Sequence, residues 1–324
     1  MTFSEHLSEV SHDVLLYTAP RARFASWRRS GNVVFLLGDE GVTLIDSGGN
    51  AARQHLLHIV DSLVNEKRQS VHCVHTHGHI DHIAGDRVLV DRFQAEIWAS
   101  EEATPYVEAQ APILIDREQS HMIVSFRELF SAPEWVVKGI MRLTMGRGSA
   151  IDSVQAIHDY PMETGFDPLE LAGHHPGHIG FFRREDRILI AGDLLDPRHR
   201  MKPGLTAPSS DFRLMRETLE AVLKLSPENL ILGHGNPLIG EESVSLAIKQ
   251  SLEILDRAER RVIDCLDSVP MCLEELSSEL QRLGLGPGDV FRRMFIHSVL
   301  KHLLAENRIS KKVTEKGKAE FSLR

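Results

Sequence analysis

The sequence lacks the features of several large protein classes. Its three cysteines, Cys73, Cys265 and Cys272, cannot all pair and do not repeat with metal-site spacing, which fits a reducing compartment. It contains no run of about 18 apolar residues that could span a membrane. Its first residues carry no basic segment followed by an apolar stretch, so no signal peptide is expected. We therefore expect a cytoplasmic protein without a membrane span.

Positive charge is also scarce in this chain. Lysine and arginine number 37 against 46 aspartates and glutamates, which gives a net charge of -9. An acidic balance argues against a globally basic nucleic-acid binder, although local basic patches remain open. With 324 residues, 42% of them hydrophobic and 26% charged, the chain can form one large α/β domain and a small accessory one.

Histidine, by contrast, is concentrated in one short stretch. A β-rich run from Val71 to His75 leads into four potential metal ligands. Imidazole nitrogen and carboxylate oxygen both suit zinc, and imidazole also suits iron. Side chains two residues apart on an extended segment point the same way, so His77 and His79 can converge on one ion. Asp81 and His82 follow where the chain should turn into a helix, and we expect them to face a second ion rather than solvent.

Glycine-flanked histidines and aspartates recur at the ends of other predicted strands. His178 follows Pro-Gly, Asp193 follows Ala-Gly, and His234 lies between two glycines. Ligand sites in α/β proteins tend to lie at strand ends, and glycine lets the backbone approach an ion closely. Asp46 ends a predicted hairpin over residues 32–46. We interpret it as an acceptor that orients a ligand histidine, with a turn-forming role as the alternative.

Five motifs in this order over residues 32–240 resemble the signature of the metallo-β-lactamase superfamily: Leu-Ile-Asp-Ser-Gly, His-Gly-His-Ile-Asp-His, Pro-Gly-His, Ala-Gly-Asp and Gly-His-Gly. The resemblance implies a four-layer αβ/βα sandwich with a two-metal site at the edge between the sheets. The ligand set that it implies is His77, His79 and His178 for the first ion, Asp81, His82 and His234 for the second, Asp193 as the bridge, and Asp46 as the support behind them.

The resemblance also implies the chemistry. Two dications about 3.5–4 Å apart lower the pKa of a shared water, so that a metal-bridging hydroxide can attack a carbonyl or phosphoryl centre near neutral pH. Asp81 resembles the family's second-metal ligand that also accepts a proton from the attacking water, which makes it the expected catalytic residue. Because all the ligands are nitrogen or oxygen, zinc is the favoured ion, and iron and manganese fit as well.

The residue types at these positions narrow the branch of the family. Asp193 stands where dinuclear β-lactamases carry a cysteine, and His79 stands where oxygen-reducing diiron members carry a glutamate. The chain thus resembles the glyoxalase II, lactonase and RNase-like branches. We expect a hydrolase acting on a small thioester, ester or lactone, with RNA phosphodiester hydrolysis and a non-catalytic ligand-binding regulator as alternatives. His174 and His175 are interpreted as pocket residues or plain surface residues.

Two further regions surround these motifs. Residues 1–242 form the expected catalytic domain, within which residues 101–163 carry four prolines between helical stretches. We interpret that segment as an insertion that shapes the substrate pocket, with a small core of its own as the equal alternative. Residues 243–324 predict three helices followed by a basic hairpin, an order that resembles a winged helix.

The tail raises the question of partners beyond a small-molecule substrate. A winged helix is a packing or homodimerisation element at least as often as a nucleic-acid reader, and this tail has no aromatic platform for stacking bases. Nucleic-acid contact is therefore the less favoured role. The basic residues that could contact phosphates are Arg292, Arg293, Lys301, Lys311, Lys312, Lys316 and Lys318.

Overall fold

The first half of the chain forms a seven-stranded sheet in which neighbouring strands follow the order of the sequence. The computed structural model describes residues 6–19, 30–65, 69–110, 119–144, 148–160, 162, 164–197, 202–282 and 289–324. The first four strands pair antiparallel, and the last four pair parallel. The strands are β1 (Leu7–Ser11), β2 (Val14–Tyr17), β3 (Val33–Leu37), β4 (Gly41–Ile45), β5 (Ser70–Val74), β6 (Glu96–Ala99) and β7 (Gln155–Ala156).

Helices connect the parallel strands of this sheet, because parallel pairing needs a crossover rather than a tight turn. The predicted hairpin over residues 32–46 is confirmed as β3 and β4, closed by a hydrogen bond from the Gly38 N–H to the Gly41 carbonyl. The predicted helix after the histidine cluster is present as two shorter helices. The helices of this half are α1 (Arg53–Leu63), α2 (Ile80–Ile83), α3 (Asp86–Phe93) and α4 (Thr104–Ala109).

The second half of the catalytic region contributes a five-stranded sheet. Its order is β14-β13-β10-β9-β8, with β10 and β13 parallel and the other pairs antiparallel. Helix α7 (Phe212–Leu225) forms the crossover between the parallel strands. The strands are β8 (Phe166–Glu170), β9 (Ile179–Arg183), β10 (Ile188–Ile190), β13 (Asn229–Ile231) and β14 (Leu238–Ile239), with β11 (Leu195–Asp196) and β12 (Lys202–Pro203) forming a separate pair.

Alternation along the strands shows that the two sheets pack face to face. On β3, Val34 and Leu36 belong to the apolar layer between the sheets, whereas Val33 and Phe35 face the layer under α1 and α3. Successive side chains of a strand point to opposite faces, so a strand covered on both sides is apolar throughout. Helices also cover the outer face of the second sheet. These layers confirm the four-layer αβ/βα sandwich.

The tail has the element order that the winged-helix interpretation requires, and the name itself stays a prediction. Its three-stranded sheet has the order β15-β17-β16. The predicted hairpin is confirmed by the antiparallel pairing of its last two strands. The elements are α8 (Glu241–Ser268), β15 (Met271–Cys272), α9 (Leu273–Arg282), α10 (Asp289–Ala305), β16 (Ile309–Val313) and β17 (Ala319–Leu323).

One apolar core joins the tail to the preceding region. It runs from Val124 and Leu129 through the helix side of the second sheet to Leu300 and Phe321 without a break at residue 242. Within the segment 101–163, α5 (Phe126–Phe130) and α6 (Glu134–Thr144) precede β7, which pairs with β6. The end of that segment therefore completes the first sheet instead of standing apart from it. In the described part of the chain no helix is both long and apolar enough to cross a membrane.

Candidate metal centre

Three imidazole nitrogens converge at the edge between the two sheets. The loop after β5 brings His77 Nε2 to 3.0 Å from His79 Nδ1, and the loop after β8 brings His174 Nε2 to 3.0 Å from the same atom. Donors of a tetrahedral zinc site, with Zn–N distances of about 2.0–2.1 Å, lie roughly 3.3 Å apart. The observed separations are thus close to those that one shared ion requires. We call these three histidines the first group.

A second group lies beside the first and consists of Asp81, His82 and His234. His234 Nε2 is 3.4 Å from an Asp81 carboxylate oxygen. Asp81 and His82 lie in the first turn of the short helix α2, and His234 follows β13. The ligand atoms of each group lie close enough to one another to share an ion.

Asp193 stands between the two groups. One of its carboxylate oxygens is 3.4 Å from His82 Nε2, and the other lies 3.7 Å from His174 Nε2 and 3.5 Å from His234 Nε2. The carboxylate therefore faces both groups at once. His82 Nε2 and Asp193 Oδ1 are buried and make no hydrogen bond with any described residue. Buried polar atoms in this state call for an explanation, and a bound ion supplies one.

The outward nitrogens of three of these histidines are fixed by acceptors. His77 Nδ1 donates to Thr76 Oγ1 over 2.9 Å, because the Thr76 hydroxyl proton is directed to Asp46. His174 Nδ1 donates to the Gly204 carbonyl, and His82 Nδ1 donates to Asp46 over 2.7 Å. In His77 and His174 the Nε2 lone pair is consequently left to face the centre. At His82 burial would lower the pKa, but Asp193 and Asp46 outweigh it and raise that pKa well above the usual range, so that an ion there would displace the Nε2 proton of His82. One ring nitrogen held by an acceptor and the other turned to an ion is the usual arrangement of metal-binding histidines.

Burial decides the protonation of the first group. Burial, together with the neighbouring histidines, lowers the pKa of His79 to about 3 and holds the pKa of His77 well below its usual range. Burial would raise the pKa of Asp193, but His234 and His82 outweigh it and hold that pKa well below the usual range. Neutral imidazoles and an ionised carboxylate are the forms that bind a divalent cation.

Asp46 supports the second group from behind. Its carboxylate accepts hydrogen bonds from the Thr76 amide, the Thr76 hydroxyl and His82. Burial would raise its pKa, but His82 and His75 lower it to about 2. Its backbone has a φ of 63°, a left-handed conformation that non-glycine residues seldom adopt and that is often found at functional sites. Asp46 thus lies directly behind His82, and its orienting role stays a prediction.

One glycine is needed for the close approach of two ligands. A Cβ atom at Gly233 would lie 2.3 Å from an Asp193 oxygen and 2.7 Å from His82 Cε1, which is closer than any side chain can be. Gly233 lies between β13 and His234 and packs against both Asp193 and His82. Glycine is therefore the residue that fits between the strand end and the cluster.

The structure places His174 in the first group, where the sequence analysis expected His178. The Leu171 N–H bonds to the His178 carbonyl, so the loop is closed at that point and His174 lies near its tip. His178 directly precedes β9 and packs beside Gly192, outside both groups. The other expected ligands lie in the two groups or between them. Both ring nitrogens of His178 are buried without a hydrogen bond to any described residue, and its ring centre is 5.2 Å from that of His77, so its role as a ligand stays a prediction beside that of His174.

His175 lies next to the first group without joining it. Its ring is 4.7 Å from that of His79 and 4.4 Å from that of Tyr106, and its Nδ1 donates to the Pro176 carbonyl. His175 also lines a cavity of about 510 Å³. His121 of the 101–163 segment and Lys301 of α10 line the same cavity. Both accessory regions thus reach a cavity beside the histidine loop.

Two residues behind the centre were not singled out from the sequence. His75 Nε2 lies 2.9 Å from Asp86 Oδ1, and both side chains are fully buried. The charge of Asp86 overcomes the effect of burial and raises the pKa of His75 well above its usual range. The alternation of side chains along β5 places His75 on the side of Asp46, so the sequence could have predicted that His75 lies near this carboxylate. The position of Asp86 depends on tertiary packing.

The four-layer sandwich and its buried imidazoles and carboxylates define a class of α/β protein with a metal centre at the sheet edge. The chain belongs to the metallo-beta-lactamase superfamily, whose family model matches residues 27–234.

Individual relatives agree with this membership. The chain is 27% identical over 216 residues to the hydroxyacylglutathione hydrolase GloC of Haemophilus influenzae, covering 64% of this chain and 86% of that protein. It is 26% identical over 212 residues to the probable metallo-hydrolase YflN of Bacillus subtilis, covering 61% of this chain and 76% of that protein. A beta-lactamase domain protein from Burkholderia ambifaria has the same fold, with a TM-score of 0.74 at 18% identity over 98% of this chain and 93% of that one.

Proposed function

We propose that this protein is a metal-dependent hydrolase that cleaves a small thioester, ester or lactone. The observation that carries the proposal is the position of Asp193, whose carboxylate faces both ligand groups over 3.4 to 3.7 Å. A carboxylate so placed can bind two cations at once, and paired cations are typical of hydrolytic centres. In this proposal His77, His79 and His174 hold the first ion, Asp81, His82 and His234 hold the second, and Asp193 bridges them.

The residues present fit divalent cations of borderline hardness. Every proposed ligand atom is nitrogen or oxygen, which suits zinc and also iron or manganese. When bound, such ions supply Lewis acidity and generate a nucleophile from water near neutral pH. The protein contributes a buried and rigid set of ligands, which fixes where a scissile carbonyl group can lie.

Asp81 is the proposed catalytic residue among the ligands. Burial would raise its pKa, but the hydrogen bond with His234 and the charge of His82 hold it well below the usual range. One of its oxygens faces His234, and a carboxylate has a second oxygen that can accept a proton. The low pKa would keep Asp81 ionised and able to bind one cation, and its second oxygen would accept the proton that the attacking water releases only transiently, because a low pKa disfavours the protonated form.

The cavity beside the histidine loop supports a small-molecule substrate. Its volume of about 510 Å³ lies in the range of ordinary ligand pockets, about 300–1,000 Å³. The relative GloC is named for an acylglutathione thioester, which belongs to the proposed substrate class. We propose that residues 1–242 form the catalytic unit and that the tail, as a winged-helix-like domain, serves as part of the cavity wall through Lys301.

The tail offers little to support RNA cleavage as the main activity. Arg292 and Arg293 are only 6% and 8% exposed. Arg292 bonds to the Ser277 hydroxyl, Arg293 bonds to the Glu128 carbonyl, and Lys301 bonds to the Ser210 carbonyl. Three of the seven basic residues that could contact phosphates are thus committed to internal contacts. The exposed lysines of the hairpin leave RNA as the alternative that an assay must address.

A parallel assay of the full chain tests the proposal. The protein is stripped with a chelator, reloaded with zinc, iron(II) or manganese, and given an acylglutathione thioester, a lactone, an ester and a single-stranded RNA. We expect metal-dependent hydrolysis of at least one of the first three substrates. His234→Ala should abolish it, whereas His158→Ala, at an exposed histidine with a 63% exposed side chain, should not. Cleavage of RNA alone would overturn the proposed substrate class.

A further inference from the structure

A continuous line of buried polar side chains runs behind the second ligand group. Asp46 Oδ2 lies 2.7 Å from His82 Nδ1, and Asp46 Oδ1 lies 3.5 Å from His75 Nδ1. The other nitrogen of His75 lies 2.9 Å from Asp86 Oδ1. All four side chains are at most 3% exposed. The imidazole of His75 therefore lies between two carboxylates, at hydrogen-bond distance from Asp86 and in a longer contact, without a hydrogen bond, with Asp46, which holds a proposed metal ligand.

The line extends beyond Asp86 to the segment 101–163. Gln110, which follows α4, donates from Nε2 to Asp86 Oδ2 over 2.8 Å, and the Ser47 hydroxyl donates to Asp86 Oδ1 over 2.6 Å. Asp86 is thus held on both oxygens by neutral donors as well as by His75. Side chains buried in this way have few alternative rotamers, so each fixes the orientation of the next.

The line reaches the first group less directly. The outward nitrogen of His77 bonds to the Thr76 hydroxyl, which itself donates to Asp46, and that of His174 bonds to the Gly204 carbonyl. Asp46 therefore contacts a histidine of the second group directly and a histidine of the first group only through a hydroxyl. Outer partners of metal ligands change metal affinity by about 10–100-fold when they are removed.

Building on the proposed function, we propose that His75 is a positioning residue for the second ion, which holds Asp46 in place between Asp86 and His82. The ring bonds to no proposed ligand itself and acts through Asp46. Loss of its contact should loosen Asp46, misalign His82 Nε2, and weaken the second site more than the first, which Asp46 reaches only through the Thr76 hydroxyl.

The nearby thiol of Cys73 suggests another role for His75, as a ligand of a further ion. The experiment must distinguish this role from the positioning of Asp46. Cys73 Sγ lies 3.7 Å from His75 Nε2 and 4.0 Å from Asp86 Oδ1. These three side chains are close enough together to hold an ion themselves. However, the direct hydrogen-bond distance between His75 and Asp86 already accounts for their pairing. A third zinc ion that is lost in Cys73→Ala would overturn the positioning role.

The experiment measures zinc affinity in single-site backgrounds of the full chain. His174→Ala leaves only the second site complete, and His234→Ala leaves only the first. Adding His75→Phe to His174→Ala should weaken zinc binding about 10-fold or more, and adding it to His234→Ala should weaken it by a clearly smaller factor, because Asp46 contacts the first group only through Thr76. Cys73→Ala, on the same buried strand, is the matched control and should change neither. Cobalt spectra of the same variants should show altered coordination only where the second site remains.

Two results would overturn the inference. Equal weakening in both backgrounds would mean that His75→Phe acts through general loss of structure, and no weakening in either would mean that His75 does not position Asp46. If His75→Phe fails to fold, Gln110→Leu removes one bond at the far end of the line and should weaken the second site more than the first, to a smaller extent than His75→Phe. If the wild-type protein binds no zinc, both the proposed function and this inference are wrong. If His75→Phe binds two ions with unchanged affinity, only this inference is wrong.

Discussion

The two ligand groups are held in place by different means. In the first group, the outward nitrogens of His77 and His174 bond to a hydroxyl and a carbonyl, which carry no charge. In the second group, the outward nitrogen of His82 bonds to the buried carboxylate of Asp46. A carboxylate behind a ligand histidine makes its ring more basic and fixes its orientation more strongly than a neutral acceptor does.

This difference predicts which substitutions should weaken metal binding at each group. The first group depends on a backbone carbonyl and on a threonine hydroxyl that donates to Asp46, so it should respond mainly to loss of its own ligands and only indirectly to changes at Asp46. The second group depends on buried charges contributed by β4, by the loop after β5 and by α3. A buried charge that loses its partner costs several kcal/mol, so substitutions far from the ions can act on this site.

The largest effect is expected where the two groups meet. Asp193→Ala removes the only side chain that faces His82, His174 and His234 together among the described residues. We expect both metal ions to be lost or greatly weakened and turnover to disappear, because each site loses an anionic ligand. Metal content after gel filtration and a parallel activity assay check this. Retention of two ions per chain would show that Asp193 does not bridge the groups.

A second prediction separates His174 from His178 within the first group. His174→Ala should remove the first ion and leave the second, since His174 Nε2 lies 3.0 Å from His79 Nδ1. His178→Ala should keep both ions and reduce only stability, because a buried side chain is lost from beside Gly192. Zinc titration of both variants checks this. The opposite pattern would restore His178 as the ligand.

These two histidines show how far the sequence alone reaches. The order of strands and the strand-end positions of His77, Asp193 and His234 follow from local hydrophobic patterns and glycines, and the structure has them as expected. The conformation of residues 171–178 does not follow from such patterns. It depends on Gly173, whose φ of 125° brings the backbone against Met215, a contact between segments far apart in the sequence.

The tail illustrates a second limit of the same kind. The three helices and the hairpin were predictable from periodicity, and the structure has them in the predicted order. The burial of Arg292 and Arg293 was not predictable from the sequence, because α10 contacts other elements on nearly all sides and so lacks a single apolar face. A basic residue on such a helix looks exposed in the sequence until its partners, such as the Glu128 carbonyl, are known.

A third prediction concerns the support of the second group alone. Asp46→Asn keeps the size of the side chain but removes the charge behind His82, and the pKa of Asp46, about 2 in the folded protein, shows how strongly the fold favours the anion. We expect zinc affinity of the second site to fall about 10–100-fold and that of the first site to fall by a smaller factor, because Asp46 reaches His77 only through the Thr76 hydroxyl. Thr43→Val, a substitution on the same strand away from the centre, is the control. Equal loss at both sites would abolish the distinction between the groups.

The smallest effect on either ion is expected from a histidine held entirely by neutral groups in the tail. His297 Nε2 accepts a hydrogen bond from the Ile123 N–H over 3.0 Å, which ties α10 to the segment 101–163. His297→Phe leaves that N–H without its acceptor and should cost about 1–3 kcal/mol of unfolding free energy at pH 7. Neither zinc affinity should change, and a change in one of them would show that the tail controls a ligand group.

The pH dependence of His297 sharpens the same test. Burial lowers its pKa to about 3 in the folded protein, below the value of about 6.5 expected for the unfolded chain. The unfolded chain therefore binds the proton first, so the stability due to His297 is complete above pH 6.5 and is lost as the pH falls toward 3. The deficit of His297→Phe should accordingly shrink by about 2 kcal/mol between pH 7 and pH 5, since each pH unit below 6.5 is worth about 1.4 kcal/mol. Denaturant unfolding of the metal-free proteins at both pH values measures this, and a constant deficit would show that His297 titrates normally and that its burial does not hold it neutral.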